Sequence, residues 1–375
     1  MSEKHLHIIS FDIPYPPNYG GVIDVFFKIK TLKEAGVKIH LHCFEYPGRE
    51  RADELKQYCE SVDYYPRKTG ITPALSLKPY IVSGRKSDEL FDKLMQDDYP
   101  ILFEGLHSCY YIDDPGLKDR FKIYRESNIE HRYYFNLFKV EHRAYNKFYF
   151  FIESLKLRIY QNKLKHADLM LAVSQKDTEY LQSKFPHHQV KHLPSFHANT
   201  RLDIKKGRGE YALYHGNIEV PENAFAAKYL INKVFSRLDF PLIIAGMNPP
   251  EEISRLADRH DHIKMIPNPS DEEMFELIRN AHINVLVTFQ ATGLKLKLLN
   301  TLYNGRFCVV NDKMLSGTPL GGVCDVANNE NELREKIGQL AKAEFGEELI
   351  SDRNFKLNGL YCNKINAEKL IGLIS

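Results

Sequence analysis

The chain has few cysteines, and their spacing gives them no structural pattern. Six are scattered through 375 residues, and none belongs to a Cys-x-x-Cys pair. This spacing excludes a zinc knuckle and a disulfide framework, so reduced thiols in a cytoplasmic protein are expected. No apolar stretch of about 18 residues exists, so no membrane-spanning helix is expected. The first residues, Met1–His5, lack the basic start and apolar core of a signal peptide.

An excess of one charge is also missing. Lysine and arginine together number 51, aspartate and glutamate 49, and the formal net charge is +2. This balance argues against a duplex-DNA binder, and no nucleic-acid partner is expected. What the chain does have is an ordinary apolar fraction of 43% and a length sufficient for two domains.

Short apolar runs alternate with segments of helical spacing. Leu6–Phe11 predicts a buried strand, Val22–Ala35 a helix and Val37–Phe44 the next strand. The alternation stops in a turn-rich stretch and then begins again, which predicts an α/β fold of two tandem, Rossmann-like, doubly wound parallel-sheet domains. The predicted divisions are a first domain at 1–192, a linker at 193–209, a second domain at 210–359 and a terminal helix at 360–375.

The most informative segment is Ala291–Gly305, which follows the strand-like run His282–Thr288. It predicts a helix whose first turn holds Gly293, Lys295 and Lys297. A helix N-terminus offers free backbone N–H groups and a favourable dipole to an anion, and lysines add charge where phosphate oxygens would lie. An ordinary surface helix with solvated lysines is the alternative.

Four other predicted strand ends carry polar residues or glycine, and crevice ligands of such sheets bind at strand ends. Glycine lets a backbone approach a ligand, and a neutral histidine can hydrogen-bond a sugar hydroxyl. The alternatives are tight turns, a histidine without a catalytic role, and a helix cap at Ser127 or Asn128. The candidates are Gly20 and Gly21; His107; Arg125, Asn128 and Glu130 for acceptor contacts; and Gly216, Asn217 and Asn223.

Residues 131–165 are unusually aromatic and basic. Basic residues attract anionic lipid head groups and aromatic rings suit membrane interfaces, so peripheral contact with the inner membrane face is one interpretation. The other interpretation, which the sequence favours, is a helical hairpin whose aromatic rings pack on the sheet and whose lysines are solvated.

Together these motifs resemble the retaining GT-B glycosyltransferases of family 4. The resemblance covers most of the chain, and its most specific part is the segment Thr292–Asn300. It implies two domains facing a cleft, with residues 360–375 crossing back to the first domain. The matching parts, in chain order, are Gly20-Gly21, His107, Ser127–His131, Val173–Asp177, Leu193–Phe196, His215–Asn217, Pro221–Asn223 and Thr292–Asn300.

The resemblance implies that the second domain binds a nucleotide-sugar donor and the first a saccharide or lipid-linked acceptor, with retention of anomeric configuration. His107 would meet the transferred sugar, and Gly20 and Gly21 would approach the diphosphate. No metal or other cofactor is expected, because helix N–H groups and lysines would stabilise the leaving diphosphate. The donor-binding candidates are Gly20, Gly21, Gly216, Asn217, Asn223, Thr292, Gly293, Leu294, Lys295, Lys297 and Asn300.

One position departs from the family. Where glutamates commonly stand eight residues apart, this chain has Thr292 and Asn300. Losing a charged hydrogen bond to the ribose costs on the order of 1.5–3 kcal/mol. The leading hypothesis is a glycosyltransferase of surface-polysaccharide assembly. A non-catalytic nucleotide-sugar-binding protein and a nucleotide-sugar 2-epimerase stay open, whereas the missing Gly-x-Gly-x-x-Gly disfavours an oxidoreductase.

Overall fold

The chain forms two compact units, and a computed structural model describes residues 3–46, 48–141, 143–289 and 296–374. The first unit comprises Met1–Ala198 and Tyr361–Ser375, and the second comprises Asn199–Leu360. The boundary between them falls inside the predicted linker 193–209. The terminal segment that the resemblance assigns to the first domain is part of the first unit.

The first unit contains, among the described residues, a seven-stranded parallel sheet of order β3-β2-β1-β4-β5-β6-β7. Its strands are β1 (Lys4–Ser10), β2 (Val37–Glu45), β3 (Ser61–Pro66), β4 (Ile101–Glu104), β5 (Lys122–Glu126), β6 (Leu169–Ala172) and β7 (Gln189–His192). Its helices are α1 (Gly20–Glu34), α2 (Ile71–Ala74), α3 (Tyr80–Ser83), α4 (Asp88–Leu94), α5 (Glu130–Val140), α6 (Ala144–Tyr160) and α7 (Gln175–Lys184).

The second unit contains, within the same described ranges, a six-stranded parallel sheet of order β10-β9-β8-β11-β12-β13. Its strands are β8 (Ala212–Asn217), β9 (Leu242–Met247), β10 (Ile263–Pro267), β11 (Ile283–Leu286), β12 (Phe307–Val310) and β13 (Asp325–Val326). Its helices are α8 (Pro221–Tyr229), α9 (Glu251–Ala257), α10 (Asp271–Asn280), α11 (Leu296–Asn304), α12 (Asp312–Leu315), α13 (Glu330–Leu340) and α14 (Glu347–Tyr361), and α15 (Asn363–Leu373) follows in the first unit.

The central strands form because their apolar runs are covered on both sheet faces. Leu6, Ile8 and Ile9 of β1 are all fully buried, as expected for a parallel strand between two helical layers. Helix α1 buries one face, which includes Val22, Val25 and further apolar side chains at helical spacing. The α/β alternation predicted from the sequence therefore builds both sheets.

The terminal segment packs where its apolar side chains find a core. Ala367 and Leu370 of α15 are fully buried in the hydrophobic cluster that also holds Phe196, and α15 packs against α1. The side-chain amide of Asn363 donates to the carbonyl of His197 at 2.7 Å. These contacts fasten the C-terminal helix to the first unit.

Candidate functional site

The second unit places a set of polar side chains at the carboxyl end of β8. Strand β8 lies between β9 and β11, so the order in which strands are added to the sheet reverses direction at β8. Such a reversal opens a crevice outside the carboxyl ends of the strands, where ligands of doubly wound sheets bind. Gly216 and Asn217 end β8, and Asn223 lies in the first turn of α8.

Lys297 is a cation that lies at this strand end. Its Nζ lies 3.3 Å from Asn223 Oδ1 and 5.5 Å from the centre of the Tyr214 ring. Asn223 also donates from its amide to the Asn217 carbonyl at 2.8 Å. The lysine ammonium is therefore held at the carboxyl end of β8, in the first turn of α11. Of the predicted donor residues, Thr292, Gly293, Leu294 and Lys295 lie outside the described residues.

A buried histidine adds to this environment. His215 precedes Gly216 on β8, and its Nε2 lies 3.0 Å from the Thr301 hydroxyl on α11. Burial, with a smaller contribution from the Lys297 charge, lowers the pKa of His215 to about 3. His215 is therefore neutral at physiological pH, and it joins β8 to α11 without adding positive charge.

The carboxyl end of β11 carries a group that the sequence reasoning missed. The Thr288 hydroxyl donates to Glu222 Oε1, in the first turn of α8. Asn311 fixes the Thr288 backbone, since its amide donates to the Thr288 carbonyl at 2.7 Å and its oxygen accepts from the Thr288 N–H at 3.2 Å. Glu222 thus places a carboxylate beside Asn223. Its position within Pro221–Asn223 was the available signal.

Asn300 has partners within the second unit. Its Oδ1 accepts from the Asn199 amide at 2.8 Å, and the Asn304 amide donates to both Asn199 Oδ1 and the Asn300 carbonyl at 2.8 Å. A glutamate at this position would give Asn199 the same acceptor and leave a second oxygen for a ligand. Contact between Asn300 and a ribose stays a prediction, and it would use the remaining lone pair of one amide oxygen.

In the first unit, the corresponding crevice position lies where β1 and β4 meet, since the sheet order reverses there. Gly105 follows β4 with a φ of +70°, a conformation that favours glycine. The chain then turns into a short 3₁₀ segment that carries His107. The predicted position of His107 just beyond a strand end is what the structure shows.

His107 is held between an aromatic ring and a carboxyl group. Its ring centre lies 5.4 Å from that of Phe11, and its Nδ1 lies 4.0 Å from Glu130 Oε1. Burial and the nearby charges of Arg85 and Arg67 hold the pKa of His107 well below its usual value. The Nδ1 atom is buried without a hydrogen-bond partner among the described residues. The imidazole is therefore neutral, and Nδ1 can donate or accept one hydrogen bond, depending on its tautomer.

Two buried carboxyl groups accompany His107. Glu126 ends β5 and Glu130 begins α5, and they are 1% and 5% exposed. Burial raises the pKa of Glu130 to about 8, although the Arg85 charge opposes it. Burial and the charge of Glu130 raise the pKa of Glu126 well above its usual range. At neutral pH, Glu130 carries a proton that it can donate.

Glu126 Oε1 has no hydrogen-bond partner in the part of the chain that the structure describes. Buried polar atoms are ordinarily paired, so Glu126 is an exception, and at 1% exposure it lies beneath the surface at this strand end. Glu126 lies in the polar segment Arg125–His131 that was predicted to follow a strand, but it was not among the residues chosen there as site candidates.

Arg85 positions the loop after β1. Its guanidinium is fully buried and donates to the Phe11 carbonyl from Nε at 3.0 Å and from Nη2 at 2.7 Å. Gly21 lies against the same phenylalanine, since a Cβ at Gly21 would come within 2.5 Å of Phe11 Cζ. Gly20 and Gly21 begin α1, so glycine here permits close packing of the helix start. Their predicted approach to a diphosphate stays a prediction.

Arg125 was predicted to contact an acceptor, but its side chain does not reach the polar edge of the sheet. Its side chain is fully buried and donates to the carbonyls of Leu193 and Pro194, and its Nη2 lies 3.3 Å from Asp24 Oδ1. Asp24 also accepts from Lys28 at 3.0 Å. Arg125 points from β5 into this ion-pair network, so direct contact with an acceptor has no support here.

Asn128 keeps its predicted place between β5 and α5, but neither it nor Ser127 caps the helix. The N-cap residue of α5 is Ile129, and no side chain caps this end. Asn128 is partly exposed and stays an acceptor-side candidate together with Glu130.

Among the described residues, no group of three or more histidine, cysteine, aspartate or glutamate side chains is arranged to hold a metal ion. The expectation that no metal takes part stays a prediction.

No protein-family model matches the chain. A protein of Klebsiella pneumoniae, described as an uncharacterized 44.6 kDa protein in the cps region, is 28% identical over 351 residues. The match covers 86% of this chain and 87% of that protein.

Solved structures resemble the chain over nearly its whole length. TarM superposes with a TM-score of 0.70 at 12% identity, covering 100% of this chain and 99% of its own. HepE from Anabaena, solved with UDP and glucose, gives 0.65 at 10% identity and 98% coverage of both chains. WaaG, a glycosyltransferase involved in lipopolysaccharide biosynthesis, gives 0.63 at 12% identity and 99% coverage of both. The chain has the GT-B fold. The predicted fold class is thereby confirmed, and identities this low show the fold alone.

Proposed function

We propose that this protein is a glycosyltransferase that moves a sugar from a nucleotide-sugar donor to a saccharide or lipid-linked acceptor. The second unit binds the donor and the first unit binds the acceptor. The observation that carries the proposal is the pairing of Lys297 with Asn223 at the carboxyl end of β8, the crevice position of this sheet.

The diphosphate of the donor is placed at the start of α11. Lys297 supplies a positive charge there, and the helix dipole favours an anion at the same end. Negative charge grows on the diphosphate as the sugar leaves, so groups already in place stabilise the transition state more than the ground state. This assignment involves no metal. Gly216, Asn217 and Asn223 complete the described donor contacts.

His107 and Glu130 are assigned to the sugar and the acceptor side. The neutral His107 imidazole is 22% exposed and can hydrogen-bond a sugar hydroxyl, and a protonated carboxyl group can donate to another. Both groups are electrically neutral near pH 7, which suits a site where an oxocarbenium-like charge develops on the sugar. Retention of configuration and membership in family 4 are part of the proposal, and rest on the motif resemblance.

The pathway is proposed as surface-polysaccharide assembly. The Klebsiella pneumoniae relative belongs to a cps region, WaaG acts in lipopolysaccharide biosynthesis, and HepE was solved with UDP and glucose. These statements describe those proteins. They support a polysaccharide role here because the Klebsiella pneumoniae protein matches 86% of this chain and the two solved structures share its fold.

A second candidate is a non-catalytic nucleotide-sugar-binding protein. The bond between Asn300 and Asn199 favours it, because the amide has one acceptor oxygen where a glutamate would have two. Such a protein would bind a donor without releasing nucleotide from it.

Thermal shift with a panel of UDP-, GDP- and TDP-sugars tests donor binding, because a ligand that binds the folded state alone raises the melting temperature. The Lys297→Ala variant should lose the shift while its melting temperature without donor stays close to the parent's. Lys264→Ala, an exposed lysine near the amino end of β10, is the matched control and should keep the shift. An undiminished shift in Lys297→Ala would remove the phosphate assignment.

Nucleotide release separates the two candidates. Release that depends on added lipid extract or saccharide acceptor supports a transferase. A donor-induced thermal shift without release under any acceptor condition would instead favour the binding protein.

A further inference from the structure

The hairpin of α5 and α6 presents apolar side chains to solvent along one line. On α6, Tyr145, Phe148, Phe151, Leu155 and Ile159 are exposed by 83%, 67%, 36%, 42% and 71%. Their spacing of three or four residues keeps them within about a third of the helix circumference, given 100° per residue. We call these five side chains the outer stripe.

The opposite side of α6 packs against the rest of the first unit. Helix α6 therefore already has a buried face, and the outer stripe is a separate face that points to solvent. Glu153, Ser154, Leu157 and Tyr160 of α6 are buried. The Tyr160 hydroxyl donates to the Cys109 carbonyl at 2.8 Å, and Glu153 accepts from the Tyr80 N–H at 2.6 Å. These contacts fix the rotation of α6 about its axis and therefore the outward direction of the stripe.

Helix α5 widens the apolar surface. The Phe138 ring lies 5.6 Å from that of Phe135 and 5.3 Å from that of Phe151, which joins the two helices. Phe135 and Tyr133 are themselves 39% and 43% exposed. The exposed Phe135 is therefore linked through the half-buried Phe138 to Phe151 of the outer stripe.

Cations lie beside this surface, since Lys139 Nζ is 4.8 Å from the centre of the Phe135 ring and Lys147 Nζ is 5.3 Å from that of Phe138. The few carboxylates nearby are turned inward or used locally. Residues 130–165 contain eight lysines and arginines but only three glutamates. Glu130 and Glu153 are buried, and Glu141 accepts from the Arg143 N–H and the Asn146 amide at 2.8 and 3.2 Å. The basic residues are Arg132, Lys139, Arg143, Lys147, Lys156, Arg158, Lys163 and Lys165. Two of these are already ion-paired, Lys156 with Glu153 at 3.0 Å and Lys163 with Asp113 at 2.6 Å.

We propose that the outer stripe and its bordering cations dock on an anionic lipid surface. Aromatic and aliphatic side chains would enter the head-group boundary while lysines and arginines meet anionic head groups. Among the described residues, no helix has the length and apolar content of a membrane-spanning segment. The contact that we propose is with the membrane surface. A second copy of this chain is the less suitable occupant, because a two-fold interface would place this excess of positive charge against itself.

The proposal deepens the proposed function, and its choice of acceptor rests on it. Helix α5 begins at Glu130, so the docking surface and the acceptor-side candidates share one element. A membrane contact here favours a lipid-linked acceptor over a free saccharide. The docking itself does not depend on any transfer reaction.

Co-sedimentation of the full chain with vesicles tests the proposal, using phosphatidylcholine alone and phosphatidylcholine with phosphatidylglycerol. The parent should bind the anionic vesicles more tightly, and added salt should weaken that binding. Removing charge in Lys139→Gln/Arg143→Gln/Arg158→Gln should reduce the partition constant on the order of 100-fold, at about 5-fold for each cation.

The apolar contribution has a matched control. Tyr145→Ser/Phe148→Ser/Ile159→Ser should lose vesicle binding, whereas Val326→Ser/Leu349→Ser/Phe355→Ser, exposed by 39%, 43% and 81% on the second unit, should bind like the parent. Unchanged thermal melting would show that the variants fold.

Three results would overturn the proposal. They are no binding of the parent to anionic vesicles, equal binding by the stripe variant, or a parent dimer that only the stripe variant disrupts. The donor-induced thermal shift does not depend on this surface. A parent protein that shows the donor-induced thermal shift but does not bind anionic vesicles would therefore refute the docking and leave the donor assignment standing.

Discussion

Four histidines on β1 and β2 should make the first unit sensitive to acid. His7 is 3% exposed, its Nδ1 lies 2.8 Å from His42 Nε2, and its Nε2 lies 3.0 Å from the Asp97 carboxylate. One of the two facing ring nitrogens must donate and the other accept, so a second proton on this pair would set two N–H groups against each other. His5 and His40 form a second such pair at 3.0 Å.

The sign of the effect follows from the pKa of His7. Burial lowers it from 6.5 to about 4, against the opposing charge of Asp97. The unfolded chain therefore binds this proton at a higher pH than the folded chain does. The contribution of neutral His7 to stability is fully present above pH 6.5 and is lost as the pH falls toward 4. Between pH 7 and 5 the loss is about 2 kcal/mol for His7 alone.

The measurement is the free energy of unfolding of the first unit from urea titrations at several pH values. His7→Gln removes the titrating ring and should be less stable at pH 7. Between pH 7 and 5 its free energy of unfolding should fall by about 2 kcal/mol less than that of the parent. His187→Gln, at an exposed position, is the matched control and should keep the parent slope. Equal slopes in His7→Gln and the parent would refute the reasoning.

Three further predictions concern the first unit. His107→Ala should keep the donor-induced thermal shift but lose turnover by about 100-fold or more, and unaltered turnover would exclude His107 from the mechanism. Because the pKa of Glu130 is about 8, turnover that needs its proton should fall as the pH rises through 8, whereas a Glu130→Gln variant should lack this fall in its pH–rate profile. Arg125→Met leaves the carboxylate of Asp24 with one cation fewer and should lower the free energy of unfolding by about 3–5 kcal/mol, while a loss below about 1 kcal/mol by urea titration would contradict the network.

The sequence predicted the central strands better than the edges. Central strands are covered on both faces, so β1 and β4 contain short apolar runs such as Ile8–Ile9 and Ile101–Phe103. The edge strands β3 and β7 were not predicted, because Ser61–Pro66 and Gln189–His192 mix polar with apolar residues and have no continuous aliphatic run. An edge strand is recognised by its pairing with a neighbour, and pairing is a property of the sheet.

The candidate site divides along similar lines. The order of the predicted strands along the chain was sufficient to predict that His107 and Asn223 lie just beyond strand ends. Such positions are favourable for a ligand, because the carboxyl ends of parallel strands meet at one edge of a sheet. The direction of the Arg125 side chain was not predictable in this way, since it depends on Asp24 being 3.3 Å away and 101 residues earlier in the chain. The partner of Asn300 was hidden for the same reason, as Asn199 lies 101 residues away in sequence.

Local pattern therefore determined the element types, their alternation and the two-domain α/β class, since periodicity and breaker residues act within a few positions. Tertiary structure decided which polar side chains are buried, which acquire shifted pKa values and which face solvent. The residues 131–165 show the difference most clearly. Their composition fitted both a packed hairpin and a membrane-facing one. Only the rotation of α6 about its axis shows that one face is packed while the outer stripe faces solvent. The sequence could not decide this, because side-chain direction depends on contacts distant in sequence.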